Sequence, residues 1–397
     1  MVRKLTCIYC FEKFKPSEIQ FRCINADSPE CFEKDELLEK YERRPIRRPL
    51  NKVISAPSTF MNGLPKEATC TCGMETSKVI CPKCHNTLPH QFGQTDSLIV
   101  ALIGAKYVGK SHYIGVLIHE LRQRIGANFD AALTALDDRT TRRYKEEFHD
   151  PLYERAERLD ATNTATQNTD LRRPLVYRLN IGSRSFWRRK SYPVSLAFFD
   201  TAGEDLTHID TMTTVNRYIA NADGIIFLLD PLQVSQVQQR LPRTVDRPPD
   251  NHDQEEIIRR STQLIRNLRR QGLRNQRLKP TTKIDIPVAV SFSKIDALEG
   301  IVDDHLLRDS EHDGYLDMAD IEHANRLFHS YVHDWFGPNM GQILEHNYTD
   351  YSYFGLSALG SSPAKDGTLA RGIHPIRIAD PLLWILHKKN IIPAKTG

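Results

Sequence analysis

A chain of 397 residues with 40% hydrophobic and 26% charged side chains has a globular composition, and it is long enough for two domains or one large domain with an appendage. A net charge of +4 is too small at this length to argue for nucleic acid by itself, and no apolar run approaches the roughly 20 residues that cross a bilayer. The start, Met1-Val-Arg-Lys-Leu-Thr-Cys7, lacks a signal-peptide core, so the chain is expected in the cytosol.

All eight cysteines lie before residue 85. In a reducing compartment such clustering points to a metal rather than to disulfides, and it marks residues 1–92 as a Cys-rich module ahead of a second unit, 93–397. Cys7-Ile-Tyr-Cys10 and Cys81-Pro-Lys-Cys84 have the spacing at which a tight turn aims two thiolates at one tetrahedral ion, and the second pair looks like a zinc-ribbon knuckle. With Cys23, Cys31, Cys70 and Cys72 they suit two four-cysteine zinc sites. Cys70-x-Cys72 is tighter than usual, His85 or His90 is an alternative ligand, and the spacing leaves open which pairs share an ion. A module this poor in apolar residues needs metal to hold it folded, and a full thiolate shell leaves no open position for catalysis. The basic run Tyr41–Lys52 is read as a solvated connector, with nucleic acid the lesser alternative.

The apolar run Leu98–Ile103 predicts a buried strand. It leads into Gly104-Ala105-Lys106-Tyr107-Val108-Gly109-Lys110-Ser111-His112, where G-x-x-x-x-G-K-S has the spacing of a phosphate-binding loop that opens a helix. Glycines let consecutive N–H groups wrap a phosphate, Lys110 supplies a cation for the β- and γ-phosphates, and Ser111 offers a hydroxyl to Mg²⁺. The helix is expected to run to about Ile125, with Gly126 as its stop. Residues 129–160 read as one or two further helices, longer than a minimal nucleotide-binding fold needs. The stretch 160–170 is a polar loop.

Pro174–Ile181 and Pro193–Phe199 alternate as a hairpin, its basic and aromatic tip Arg184–Lys190 read as an exposed end. The second strand runs into Asp200-Thr-Ala-Gly203-Glu204, a D-x-x-G in which Asp200 can hold Mg²⁺ through water and the Gly203 N–H can approach the γ-phosphate. Gly224–Asp230 gives another buried strand. Residues 232–252 read as a loop, and 253–272 as a helix with an arginine-rich face. Ile286–Ser293 predicts a strand that ends in Ser293-Lys294-Ile295-Asp296. Residues 319–336 read as a helix, Tyr351-Ser-Tyr-Phe-Gly-Leu as a strand before Ser357-Ala358-Leu359, and 380–389 as the closing helix. Alternating strands and helices predict an α/β fold with a mostly parallel sheet and a ligand at the strands' carboxyl ends.

The order of these four motifs over roughly residues 97–390 resembles the Ras-like P-loop GTPases of the translation-factor class, which implies a six-stranded sheet, Mg²⁺ and GTP or GDP. Asp296 carries the base choice, because one carboxylate can accept both N1–H and N2–H₂ of guanine, a donor pair that adenine lacks. By the same resemblance Lys294 should lie along the base and brace the phosphate loop. Ser357 should support the loop whose Ala358 N–H meets the guanine O6, with Leu359 beside it. Thr166 or Thr169 should supply the Mg²⁺-contacting threonine. The chain departs from the family in three places: Ser293 stands for Asn or Thr, Glu204 for a water-orienting Gln, and Lys106 and Tyr107 for small residues. A zinc-ribbon-like amino terminus joined to such a domain resembles the bacterial double-GTPase group of conflict or defence systems. The resemblance implies a GTP-hydrolysing switch in which the zinc module docks a protein effector or regulator. The alternative is a nucleotide-bound scaffold with little hydrolysis.

Overall fold

The computed structural model describes residues 5–57, 65–89, 92, 96–160, 173–182, 192–199, 212–242, 245, 248, 253–272 and 282–395. Strand β1 (Asp96–Gly104) feeds helix α1 (Lys110–Arg122), and a short α2 (Arg124–Asn128) follows. The chain continues through β2 (Ala131–Ala135), α3 (Asp138–Tyr144) and a wide π-helix at Lys145–Glu154. Next come β3 (Leu175–Ile181), β4 (Tyr192–Phe198), α4 (Met212–Ala220), β5 (Gly224–Leu229) and α5 (Asp253–Gly272). The last third holds β6 (Val288–Phe292), α6 (Met318–Phe336), α7 (Pro338–Asn347), β7 (Tyr351–Gly355) and α8 (Asp380–Lys388).

Seven of these strands form one sheet in the order β2-β3-β4-β1-β5-β6-β7. Pairings from β4 to β7 are parallel, while β3 runs antiparallel to β4 in the expected hairpin, Leu175 opposite Phe198. The sheet has one strand more than the six expected, and it comes from a segment read as helical. Ala131–Ala135 offers alanines and a single buried Leu133, a composition that favours helix locally. Antiparallel pairing along the open edge of β3 overrides that preference. The first helix also ends earlier than expected, at Arg122. Gly126 is not its stop but part of α2, where a Cβ would lie 2.6 Å from the Leu121 carbonyl oxygen and 2.9 Å from that of Ala131. The stretch read as a loop after 232 contains helical turns at Pro231–Gln233 and Ser235–Gln238.

Alternation along β1 divides the core. Leu98, Val100 and Leu102 join α1 and α8 on one side, and Ile99, Ala101 and Ile103 face the other. That second layer also takes in residues of the amino-terminal module, among them Leu5, Ile8, Phe11, Phe14 and Phe21. Phe11 is fully buried, with ring centroids 6.1 Å from Phe199 and 4.9 Å from Tyr218. Its carbonyl accepts from Asn221 Nδ2 at 3.0 Å, Glu12 pairs with Arg217 at 3.0 Å, and the Tyr9 hydroxyl donates to Asp137 at 2.9 Å. Tyr218 ties the contact to the middle of the sheet, donating to the Val100 carbonyl at 2.5 Å and accepting from the Leu102 N–H at 3.2 Å. Among the described residues no helix is long and apolar enough to cross a membrane.

Candidate functional site

The phosphate-loop motif leaves the carboxyl end of β1 in the middle of the sheet. A Cβ on Gly104 would stand 2.5 Å from the Leu228 carbonyl oxygen and 2.8 Å from Val108 Cγ2, so only glycine allows the loop to leave this close to β5. Gly109 caps α1 with φ at +89°, in the left-handed region that glycine enters without strain. Lys110 is buried, its ammonium donating to the carbonyls of Gly104 at 2.9 Å and Ala105 at 2.7 Å. The first turn of α1 turns its N–H groups out of the helix, an arrangement suited to an anion. Tyr107, with φ at 66°, keeps its ring 59% exposed, and the Lys106 ammonium lies 5.3 Å from the ring centroid.

Strands β5 and β6 end beside this loop. Ser293 is buried and donates through Oγ to the Leu229 carbonyl at 3.0 Å. Lys294 has φ at 57°, and its ammonium joins the Tyr107 carbonyl at 3.0 Å and Asp230 Oδ2 at 2.6 Å. Asp230 is a residue whose part sequence reading missed. Fully buried at the end of β5, it also accepts from the Leu232 N–H at 3.0 Å and from Gln233 Nε2 at 3.2 Å, and Gln233 Nε2 reaches the Lys106 carbonyl at 3.2 Å. Gln254 of α5 holds the Asp230 backbone on both sides, at 2.7 and 3.1 Å. The only signal in the sequence was an aspartate closing a buried strand, the pattern already noted at Asp200.

These loops surround one cavity of about 420 Å³, a size suited to a small-molecule ligand. Residues 106–113 line it together with Ser293, Lys294, Asp296 and Ser357–Leu359. Gly104 and Ala105 lie behind Lys110 rather than on the lining. Burial raises the Asp296 carboxyl above its usual range, against the Ser357 hydrogen bond and the Lys294 charge, which lower it. The Ser357 hydroxyl accepts from the Gly360 N–H at 2.8 Å, while its backbone pairs with Ile376. Arg158, Leu159 and Asp160 form a wall that no motif announced. Asp200, Gly203, Glu204, Thr166, Thr169 and His90 lie outside the described residues.

His112 joins that wall to α1, its Nε2 accepting the Leu159 N–H at 3.0 Å. Burial, followed by the charges of Lys294 and Arg158, pushes its pKa down to about 4. The unfolded value is about 6.5, so the unfolded chain takes up the proton first as pH falls. The stability His112 contributes is whole above about pH 6.5 and is lost between there and about pH 4, at up to about 1.4 kcal/mol per pH unit. His112→Asn is expected to flatten the fall in thermal midpoint between about pH 7 and pH 4.5. An equal fall in both proteins would exclude this role.

The cysteines form two separate quartets. Cys7 and Cys10 join Cys81 and Cys84, and the inner four, Cys23, Cys31, Cys70 and Cys72, make the second; within each the sulfurs lie within 4.8 Å of one another. Four sulfurs held tetrahedrally at the zinc–sulfur distance stand about 3.8 Å apart. The contacts are 3.9 Å for Cys7–Cys84, 3.8 Å for Cys10–Cys81, and 3.9 Å for both Cys23–Cys72 and Cys31–Cys70. Backbone N–H groups two residues on point at the sulfurs of Cys7, Cys23 and Cys81 at 3.3–3.4 Å, the outer-shell donors a thiolate–metal site needs. Both knuckles turn through a left-handed residue, Phe11 and His85. His85 is not among the ligands of this arrangement, in which each group is completed by four cysteines; its Nδ1 meets Asp35 at 2.7 Å. Burial pushes the thiols of Cys7 and Cys84 up, while hydrogen bonds from Cys10, Cys7 and Cys84 push Cys81 down. Four sulfurs in contact cannot all ionise unless a cation among them offsets their charge.

A relative from Mycolicibacterium smegmatis, provisionally named ESX-1 scaffolding and assembly protein SaeC, is 27% identical over 402 residues, spanning 96% of this chain and 97% of its own. Among solved structures, the provisionally named nucleolar GTP-binding protein 1 of Plasmodium falciparum is 13% identical, covering 76% of this chain and 91% of its own at a TM-score of 0.27. The GTP-bound GTPase-like domain of S. cerevisiae Ski7 is also 13% identical, covering 75% and 51% at a TM-score of 0.29. The double-GTPase 2 family profile matches residues 98–332, from the first core strand through most of α6 and more than half of the chain. The chain belongs to the double-GTPase 2 family.

Proposed function

We propose that the chain is a cytosolic switch that binds GTP with Mg²⁺ in this cavity and hydrolyses it, while a module holding two zinc ions docks a protein effector or regulator. The observation that carries this reading is the meeting of Lys110, Lys294 and Asp296 at one cavity, beside the carboxyl ends of neighbouring parallel strands. In it, the loop from Gly104 to His112 cradles the phosphates and Asp296 reads the guanine, while Ser357 supports the loop whose Ala358 N–H meets the guanine O6, with Leu359 beside it. Ser111, Asp200 and Thr166 or Thr169 would hold Mg²⁺. When bound, that ion neutralises charge that develops on the β- and γ-oxygens. The Gly203 N–H would meet the γ-phosphate, and Glu204 would hold the attacking water as an acceptor, without the donor of the usual glutamine. A role in a bacterial conflict system rests on the module arrangement together with Cys81-Pro-Lys-Cys84-His85 and Asp200-Thr-Ala-Gly-Glu-Asp-Leu206.

The test is the identity of the nucleotide released from denatured purified protein, with zinc counted in the same sample. A guanine nucleotide in the wild type, absent in Lys110→Ala, is the expected result. An adenine nucleotide, or GTP affinity unchanged by Lys110→Ala, would overturn the reading.

A second reading, a nucleotide-bound scaffold, is favoured by the full-length relative whose name describes scaffolding and assembly. Single-turnover hydrolysis separates the two. A rate well below the roughly 10⁻⁴ s⁻¹ of a slow intrinsic GTPase, with guanine nucleotide bound and candidate partners added, assigns the scaffold.

A further inference from the structure

The unannounced wall of the cavity is pinned from two sides. Glu157 pairs with Thr368 across an antiparallel bridge, the Arg158 N–H donates to the Gly367 carbonyl at 2.9 Å, and the Leu369 N–H donates to the Ala156 carbonyl at 2.7 Å. On the other side Leu159 is bonded to His112 in the first turn of α1. The segment is therefore fixed at once to the helix that follows the phosphate loop and to the chain beyond Ser357–Leu359. The Arg158 side chain lies along Gly367. A Cβ there would come within 3.3 Å of its Nε and 3.4 Å of its Cγ, so the missing side chain leaves a track for the arginine stem. From that track Arg158 reaches the cavity, close enough that its charge helps to hold His112 neutral.

Charge decides which half of a ligand this wall faces. Asp160 lines it as well, and a carboxylate there would repel a triphosphate. Ser361, Ser362 and Pro363, which continue from the Ala358 loop, line the cavity too. The phosphate end belongs to Lys110 and the glycine-containing loop before it, while the wall is bonded to Gly367 and Leu369 in the chain that runs on from Ser357–Leu359, the base end. A flat guanidinium beside Asp160 is suited to a purine face, which attracts cations through its π-electrons.

We infer that Arg158 contacts the nucleoside half of the bound nucleotide and sets its affinity by lying against the purine. The inference rests on the GTP-binding reading above. Arg158→Ala keeps the backbone bonds to Gly367, so its thermal midpoint should match the wild type. Its affinity for GTP, GDP and GMP, measured by displacement of a fluorescent GDP, is expected to fall by about the same factor for all three, about 10-fold. Arg158→Lys, which keeps the cation but loses the flat face, should recover only part of the affinity lost in the alanine variant. Unchanged affinity in Arg158→Ala, a loss that grows with the number of phosphates, or full rescue by lysine would each overturn the inference. Failure of the wild type to bind any guanine nucleotide would instead sink the reading beneath it.

Discussion

Asp296→Asn is expected to move the base preference from guanine to xanthine, by about 10³-fold or more in the ratio of affinities. A carboxylate offers acceptors only, and these match the adjacent N1–H and N2–H₂ donors of guanine. An asparagine in the same place offers one acceptor and one donor. The donor then faces the N2–H₂ group, and two donors meet with no acceptor between them. Xanthine carries a carbonyl at that carbon and restores the match. The penalty is large because the group is mostly removed from water, the same burial that lifts its carboxyl above the ordinary range. An unpaired polar group in such a place costs about 1–3 kcal/mol, and sites built around a hydrogen bond reject the unmatched ligand by about 10⁴–10⁵-fold. Competition between GTP and xanthosine triphosphate for the wild type and the variant measures the change directly. Equal guanine affinity in both proteins would remove Asp296 from base recognition and leave the cavity without a reader.

What the sequence makes legible is the part governed by short-range pattern. Leu98–Ile103, Gly224–Leu229 and Val288–Phe292, the last broken by Ser291 alone, are apolar runs because both faces of a parallel strand are covered, and their ends carry the motifs. Gly104 and Gly109 can be read for the same reason, since a backbone demand leaves a residue-type signature. The rest depends on contacts between distant positions. Asp230 meets Lys294 across 64 residues, and Glu157 bridges to Thr368 across an even longer span, so neither the brace under the phosphate loop nor the Arg158 wall has a local pattern. The strand Ala131–Ala135 is made by its neighbour's open edge, against its own alanine-rich preference. The cysteines were recognisable as a set that could hold metal, yet their grouping into an outer and an inner quartet follows from the module's folding and not from spacing.

That grouping has a consequence for stability: Cys81→Ser is expected to be far more damaging than Cys72→Ser. The outer quartet is part of the apolar layer that covers one face of the sheet. Cys7, Cys10, Cys81 and Cys84 pack in the same cluster as Phe11, and Phe11 touches Phe199 and Tyr218. Among the described residues the inner quartet forms its own small cluster of Cys23, Cys31 and Cys70, which meets the larger layer through Ile54, and Cys72 is exposed. A structural zinc contributes an apparent 10–16 kcal/mol or so to the fold around it, which matches or exceeds the roughly 5–15 kcal/mol of a whole domain. Losing the outer ion should therefore loosen α4 and the neighbouring strands together with the knuckles. Losing the inner one should release only the module's far side. Zinc per chain should be two in the wild type and one in Cys72→Ser, whose thermal midpoint stays near that of the parent. Cys81→Ser should lose the protection of α4 and β1 against hydrogen exchange, and where it is too unstable to purify, timed chelation of the wild-type protein gives the same readout. Two ions per chain and an unchanged midpoint in Cys81→Ser, or an equal drop in both variants, would show that the knuckle does not hold the sheet.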